Sequence, residues 1–191
     1  MKQIKRPVFA MLLGALSLFM IGAFPGVAFA DGTETLGAPS ISIASGTGYV
    51  AAGIGLKDVQ PGNIDITVPA GVSIEQVILY WEGQMVNNVP GDNSILADGN
   101  PVVGTLIGGQ AYFFSGAYSS SYRADITALG LVTNGANSIA ISGLDFDRRN
   151  NGAGMLVIYD DGGDLAEIDV RDGIDLAFIN FPEPRKSTMK Q

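Results

Sequence analysis

The sequence predicts an all-β domain, either a β-sandwich or a jelly-roll-like fold, with about ten short and mostly antiparallel strands. Three observations predict this class. Short runs of β-branched and aromatic residues recur along the chain, and Gly, Asn, Asp and Pro separate them. Turn signals fall roughly every 8–12 residues, and helical periodicity is nearly absent.

The first predicted strands lie at 40–44, 49–56 and 63–68. In the third of these, Ile64, Ile66 and Val68 fall on one face and polar residues on the other, which predicts a half-buried strand.

The segment 73–84 is predicted to be a central strand. Its apolar side chains fall on both faces: one face carries Val77, Leu79 and Trp81, and the other carries Ile78 and Tyr80. A strand that is apolar on both faces belongs in the middle of a sheet that is covered on each side.

The remaining predicted strands lie at 94–97, 102–107, 111–118, 122–127, 138–142, 155–159, 165–170 and 174–181. Asp98-Gly99 predicts a tight hairpin turn after the first of them. A turn or short helix is predicted at 128–130, and a charged loop at 145–152.

The N-terminus is predicted to be a cleaved signal peptide. Three basic residues precede an apolar run at 8–24, and Ala28-Phe29-Ala30 supplies the small-x-small pattern of a cleavage site. The run is short for a permanent membrane anchor. We therefore expect cleavage after Ala30 and a secreted or cell-envelope protein without a membrane span.

The rest of the chain is predicted to form one domain. Residues 31–181 are assigned to a single β-sandwich, and 182–191 to a polar tail or to the start of a truncated continuation. No fixed-period repeat and no long linker divides the domain.

Composition excludes several function classes. The 191 residues include no Cys and no His, which excludes disulfides, thiol nucleophiles, imidazole ligands and His-based triads. After signal cleavage the chain has 8 basic and 19 acidic side chains, a net charge of −11. This charge disfavours nucleic acid and anionic membranes as partners, and it attracts cations such as Ca²⁺.

A group of acidic residues between 145 and 175 offers a candidate calcium site, with Asp145, Asp147 and Asp172 as the metal ligands. Calcium takes carboxylate, amide and carbonyl oxygens, and loops at one end of a sandwich can supply them together. The spacing matches no defined calcium loop, however, and Asp also favours turns. We therefore predict no required cofactor, with Ca²⁺ as the alternative.

Tyr80-Trp81-Glu82 is the candidate carbohydrate site. An aromatic pair followed by a carboxylate is typical of a sugar platform, or of half of a glycosidase acid–base pair with Asp145 or Asp172 as partner. The alternative is that Trp81 anchors the core and Glu82 marks the strand's exit to solvent. The second interpretation is favoured, so we assign no catalytic residue and expect the protein not to be an enzyme.

Two further groups are predicted to be structural. The aromatic residues at 112–114, Tyr118 and Tyr122 are expected to divide between core and surface. Arg123 and Asp125 share a strand face and are expected to pair with each other or to anchor a neighbouring loop.

Several short motifs recur together in this order: VILYWEG at 77–83, YRADIT at 122–127, SGL at 142–144, NGAGMLVIY at 151–159 and RDG at 171–173. As a set they resemble an uncharacterised β-rich domain family of secreted and cell-surface proteins of bacteria and archaea. The resemblance covers about 64–183. It implies a β-rich fold in an extracellular setting, carries no catalytic residues, and implies that further strands follow in longer members.

Together these observations predict a secreted or cell-surface, non-enzymatic β-sandwich module with a structural, adhesive or ligand-binding role. Its expected partner is an extracellular protein or a polysaccharide. The alternatives are a carbohydrate-binding module or carbohydrate-active enzyme that uses Tyr80, Trp81 and Glu82, and a calcium-stabilised surface module. The sequence leaves the oligomeric state open.

Overall fold

The computed structural model describes residues 36–57, 59–113 and 115–176. The predicted signal peptide at 1–30 and the predicted tail at 182–191 lie outside these residues, as does most of the predicted strand at 174–181. Among the described residues, none of the helical structure is long and apolar enough to cross a membrane.

The predicted all-β sandwich is confirmed. In the described part of the chain, nine strands form two antiparallel sheets: β1 (Gly48–Gly55), β2 (Gly62–Val68), β3 (Ser73–Met85), β4 (Ser94–Ala97), β5 (Asn100–Val103), β6 (Thr105–Tyr112), β7 (Tyr118–Asp125), β8 (Gly135–Ser142) and β9 (Arg149–Asp160). The larger sheet has the order β1-β9-β3-β7-β6, and the smaller has the order β2-β8-β4-β5.

The core lies between the two sheets. Val77, Leu79 and Trp81 of β3 are almost fully buried there together with Ile64 and Ile66 of β2. Trp81 lies opposite Tyr122 in register, and the two rings stack with their centroids 5.8 Å apart. The predicted core role of Trp81 is therefore confirmed.

The predicted central position of β3 is also confirmed, since it pairs with β9 on one side and β7 on the other. We call the side of the larger sheet that faces away from the core the outer face. Ile78 of β3 is fully buried although it points to this face. Two non-strand stretches cover the face in part, the N-terminal segment (36–46) and the C-terminal segment (165–176).

Hydrogen bonds join these two segments to the sheet and to each other. The Gln76 side chain accepts a bond from Ala44 N (2.9 Å) and donates one to Ser42 O (3.0 Å). Gly37 and Asp172 form an antiparallel bridge, with N–H···O distances of 2.7 and 3.0 Å.

Four strand predictions are wrong. The predicted strand 102–107 is divided at Gly104 between β5 and β6, which belong to different sheets. The segment 40–44 is not a strand, because its backbone bonds to side chains instead, those of Gln76 in the sheet and Asp172 in the C-terminal segment. A turn at Ser115 and Gly116 separates β6 from β7, so 111–118 is not one strand, and 165–170 contains no strand. The apolar residues of 40–44 are half-buried, and those of 165–170 are half-buried or exposed, so the apolar pattern did not indicate a buried strand in either stretch.

The predicted turns are confirmed. Asp98 and Gly99 have φ angles of 46° and 75°, which is the backbone of a tight two-residue hairpin between β4 and β5. A 3₁₀ turn at Thr127–Leu129 follows β7 and ends at Gly130 with φ 61°. The charged loop predicted at 145–152 is shorter, since β9 begins at Arg149.

Candidate functional site

A cavity of about 450 Å³ lies on the outer face, between the sheet and the C-terminal segment. We call it the outer-face cavity. The polar side chains that line it are those of Tyr80, Glu82, Ser121, Asn151 and Arg171. Residues directly opposite on paired strands share a face, and Glu82 lies opposite both Ser121 of β7 and Gly152 of β9. The site is therefore built from three neighbouring strands.

A β-bulge places Asn151 in this cavity. The register of β9 against β3 shifts between Glu82 and Gly83, which lie opposite Gly152 and Asn150, so Asn151 is the extra residue. A bulge redirects the side chain of the extra residue. Here Asn151 Nδ2 donates a hydrogen bond to Glu82 Oε2 at 2.7 Å.

Glu82 is the group with the most unusual environment. Its Oε2 is held by Asn151, whereas its Oε1 is buried and has no hydrogen-bond partner among the described residues. Burial raises the pKa of the Glu82 carboxyl above its ordinary value, and the side chains of Asn151 and Ser119 oppose this in part. The Glu82 carboxyl is therefore held in one orientation at the cavity wall by Asn151.

Tyr80 forms the other side of the cavity. It lies opposite Arg123 of β7 and Gly154 of β9. Burial raises the pKa of the Tyr80 hydroxyl, the Arg123 charge lowers it and the Asp172 charge raises it again. The hydroxyl therefore remains protonated and able to donate at neutral pH.

Glycines open the floor of the cavity beside Tyr80 and Glu82. Gly154 lies between them and β1, and a methyl group built on it would meet only Ala52 O, at 3.7 Å. At Gly152 a methyl group would overlap the Ile54 carbonyl, so that glycine is required by the close approach of β1. A ligand can thus approach the backbone of β9 closely at Gly154.

A buried ion pair between Arg123 and Asp172 lies beside the cavity, near Tyr80. Arg123, fully buried, donates to Asp172 Oδ1 and, at 2.9 Å, to Ser40 Oγ. Ser40 N donates to Asp172 Oδ2 at 2.9 Å. One arginine therefore holds both terminal segments against the outer face, next to Tyr80.

The three residues of the predicted carbohydrate site, Tyr80, Trp81 and Glu82, do not share one face of the sheet. Tyr80 and Glu82 line the cavity with their side chains, while the Trp81 side chain points into the core. The prediction that Glu82 marks the exit to solvent is wrong, because the neighbouring strands and Asn151 bury most of its carboxyl group.

The predicted calcium ligands occupy different parts of the fold. Asp145 and Asp147 lie in the loop between β8 and β9, where Asp147 Oδ1 accepts a bond from Val86 N at 2.8 Å. Asp172 lies in the C-terminal segment and is bound to Arg123. No group of three or more acidic residues with metal-site geometry occurs among the described residues, and calcium binding stays a prediction.

Arg123 and Asp125 do not pair with each other, and the alternative expectation applies, since Arg123 anchors neighbouring segments through Asp172 and Ser40. Asp125 instead accepts bonds from Gln76 (2.8 Å) and Thr127 (2.6 Å), since the two side chains sit at different levels of the outer face. Asn151, Ser121 and Arg171 were not among the predicted site residues. Alternation along β7 places Ser121 on the same face as Arg123, but the bulge that places Asn151 has no signal in the sequence.

The fold and the cavity define a class: a two-sheet antiparallel β-domain with a polar cavity on the outer face of its larger sheet. No family model, no curated protein and no solved structure matches this chain. Its function is therefore argued from the chemistry of the cavity.

Proposed function

We propose that the protein is a secreted or cell-surface, non-enzymatic binding module that holds a sugar ring of an extracellular polysaccharide in the outer-face cavity. The observation that carries this proposal is the Glu82 carboxyl, which lines the cavity beside Tyr80 and Ser121 and is oriented by the hydrogen bond from Asn151.

The cavity offers the mixture of groups that a sugar requires. Sugar hydroxyls both donate and accept, and Glu82, Asn151 and Ser121 provide acceptors and donors on adjacent strands. The apolar C–H face of a sugar packs on an aromatic ring, for which Tyr80 is available. Gly154 leaves room for the ring beside Tyr80. A volume of about 450 Å³ is in the range of small-ligand pockets.

The arrangement supports binding rather than hydrolysis. Glycoside hydrolysis uses two carboxyl groups that flank the scissile bond. Among the described residues that line the cavity, Glu82 carries the one carboxylate. Of the two partners considered from the sequence, Asp172 is bound to Arg123, and Asp145 lies in the β8–β9 loop.

The test is binding of the full chain to an array of extracellular polysaccharides and oligosaccharides. Wild-type protein is expected to bind at least one saccharide class. Tyr80→Ala and Glu82→Gln are expected to weaken that binding by roughly three- to tenfold each, because they remove the aromatic wall and the carboxylate. Gly154→Val is expected to abolish it by filling the cavity.

Ala51→Val is the matched control. Ala51 is exposed on edge strand β1 and does not line the cavity, so the same kind of small-to-branched substitution should leave binding unchanged. Absence of saccharide binding by folded wild-type protein contradicts the proposal, as does a Gly154→Val variant that binds normally. Hydrolysis of a bound saccharide that is lost in Glu82→Gln contradicts the non-enzymatic part.

A further inference from the structure

A second cavity lies on the outer face, next to the outer-face cavity along β9. It has a volume of about 320 Å³ and is lined by Tyr49, Leu156, Glu167, Ile168, Asp169 and Val170. We call it the tyrosine cavity. The C-terminal segment forms a wall of both cavities, with 167–170 at the tyrosine cavity and Arg171 and Gly173 at the outer-face cavity. The two cavities are therefore neighbours along one wall.

Strand geometry gives the spacing of the two cavities. Gly154 lines the outer-face cavity and Leu156 lines the tyrosine cavity, and these two residues of β9 are about 7 Å apart on the same face. In the shared wall, Asp169 lines the second cavity and Arg171 lines the first, and two hydrogen bonds of 2.7 and 3.1 Å join their side chains. The spacing along β9 is comparable with the step from one sugar ring to the next, so one ligand chain can occupy both cavities.

Tyr49 supplies the aromatic ring of the tyrosine cavity. It lies on edge strand β1 opposite Ile158, and it faces outward because Val50 and Ile54, on the opposite face of β1, pack against the core. Tyr49 is 57% exposed, so its ring is not part of the core. An exposed aromatic ring at a polar cavity offers an apolar surface to the C–H face of a sugar, as Tyr80 does in the first cavity.

The charge of the tyrosine cavity favours an uncharged ligand. Two acidic side chains, Glu167 and Asp169, and no basic side chain line it among the described residues. Asp169 is bound to Arg171, which leaves the Glu167 carboxylate to accept hydrogen bonds from ligand hydroxyls. A carboxylate on the ligand would meet the like charge of Glu167, in a chain that has 19 acidic and 11 basic residues.

We propose that the ligand is an uncharged oligosaccharide of at least two rings, and that its second ring stacks on Tyr49 and donates hydrogen bonds to Glu167 in the tyrosine cavity. This inference rests on the proposed function, because the first ring is the one held by Tyr80 and Glu82. It adds a minimum length, the absence of charge on the second ring and a direction along β9 toward Tyr49.

The length of the ligand is the first test. The full chain is titrated with the one-ring and the two-ring member of each saccharide class on the array. Wild-type protein is expected to bind a two-ring member about five- to tenfold more tightly than its one-ring counterpart, because the second ring gains the aromatic surface. Tyr49→Ala is expected to lose this gain, and Tyr49→Phe to keep it, since phenylalanine retains the ring. Val103→Ala is the matched control, because Val103 is a 71% exposed strand residue that lines neither cavity.

The charge of the ligand is the second test. Two-ring saccharides that carry a carboxylate are compared with their carboxyl-reduced counterparts, which keep the hydroxyl groups and lose the charge. Wild-type protein is expected to bind the reduced form about two- to fivefold more tightly at low salt, and Glu167→Gln to narrow this difference by removing the like charge. Glu75→Gln is the control, because Glu75 is exposed and lines neither cavity. Thermal unfolding of each variant checks that it is folded.

The outcomes separate the two proposals. Equal affinity of wild-type protein for one and two rings, or a gain that persists in folded Tyr49→Ala, overturns the second subsite and leaves the sugar-binding function standing. Binding of the acidic forms as tightly as the reduced forms overturns the uncharged ligand. Failure of the folded wild-type chain to bind every saccharide overturns the proposed function and this inference together.

Discussion

Glu82 shows at the scale of one residue how burial changes the behaviour of an ordinary carboxyl group. Charged carboxylates are disfavoured in a poorly solvated site, and burial is the main reason that the Glu82 pKa is raised. The folded state therefore binds a proton more tightly than the unfolded chain does. Stability contributed by the protonated form is present below the unfolded pKa and is lost as the pH rises through the folded pKa.

We expect Glu82→Gln to remove this pH dependence. The variant keeps the shape and the hydrogen bond to Asn151, so it should match wild type at about pH 4 and become the more stable of the two toward pH 8. The measurement is urea unfolding of both proteins across this range.

Glu75→Gln on the same strand is the control, because Glu75 is exposed. A stability difference between Glu82→Gln and wild type that does not change with pH would show that the buried carboxyl is not coupled to folding.

At the scale of elements, Gly104 shows how one residue connects the two sheets. It is the single residue between β5 of the smaller sheet and β6 of the larger one. Its N–H donates to Asn93 O at 2.8 Å, and a methyl group built on it would overlap the ring of Trp81. At Gly104 the chain crosses from one sheet to the other over the edge of the Trp81 ring. This crossing requires a residue without a Cβ, because a Cβ would overlap the ring.

Gly104→Ala is therefore expected to lower the free energy of unfolding by about 1–3 kcal/mol, the usual effect of overpacking a core. Gly55→Ala is the matched control, since a methyl group at that strand glycine meets no atom within 4 Å. Chemical denaturation measures both. Equal effects of the two substitutions would mean that the Trp81 ring moves aside without loss.

The strand predictions succeeded where alternation along one strand was sufficient evidence. The 63–68 pattern and the two-sided 73–84 pattern correspond to β2 and β3. The aromatic stretch 111–118 predicts one strand, but Gly116 at φ 75° marks a turn between two strands. Side-chain type alone does not distinguish a continuous strand from a hairpin when both ends are aromatic.

At the scale of the whole molecule, the Arg123–Asp172 pair holds the two terminal segments on the larger sheet. Arg123 is 0% exposed and Asp172 is 10% exposed, whereas the nearby pair of Arg171 and Asp169 is 48% and 63% exposed. Removing one partner of a buried pair leaves an uncompensated charge, while an exposed pair contributes little.

Asp172→Asn is expected to destabilise the protein by about 3–5 kcal/mol and to release both segments, and Asp169→Asn to change stability by less than about 1 kcal/mol. Urea unfolding measures the loss, and limited proteolysis of 36–46 and 165–176 measures the release. A small effect of Asp172→Asn with intact protection would show that the segments are held by their backbone bridge instead.

The sequence by itself determined the fold class, the central position of β3, the core role of Trp81 and the Asp98-Gly99 turn. Each depends on local alternation or on turn chemistry, which neighbouring residues encode directly. Only the tertiary structure decided that Glu82 and Asn151 meet across a bulge, and that Arg123 pairs with Asp172 rather than with Asp125. The physical reason is that these contacts join strands distant in the sequence, whose register is set by packing of the whole domain.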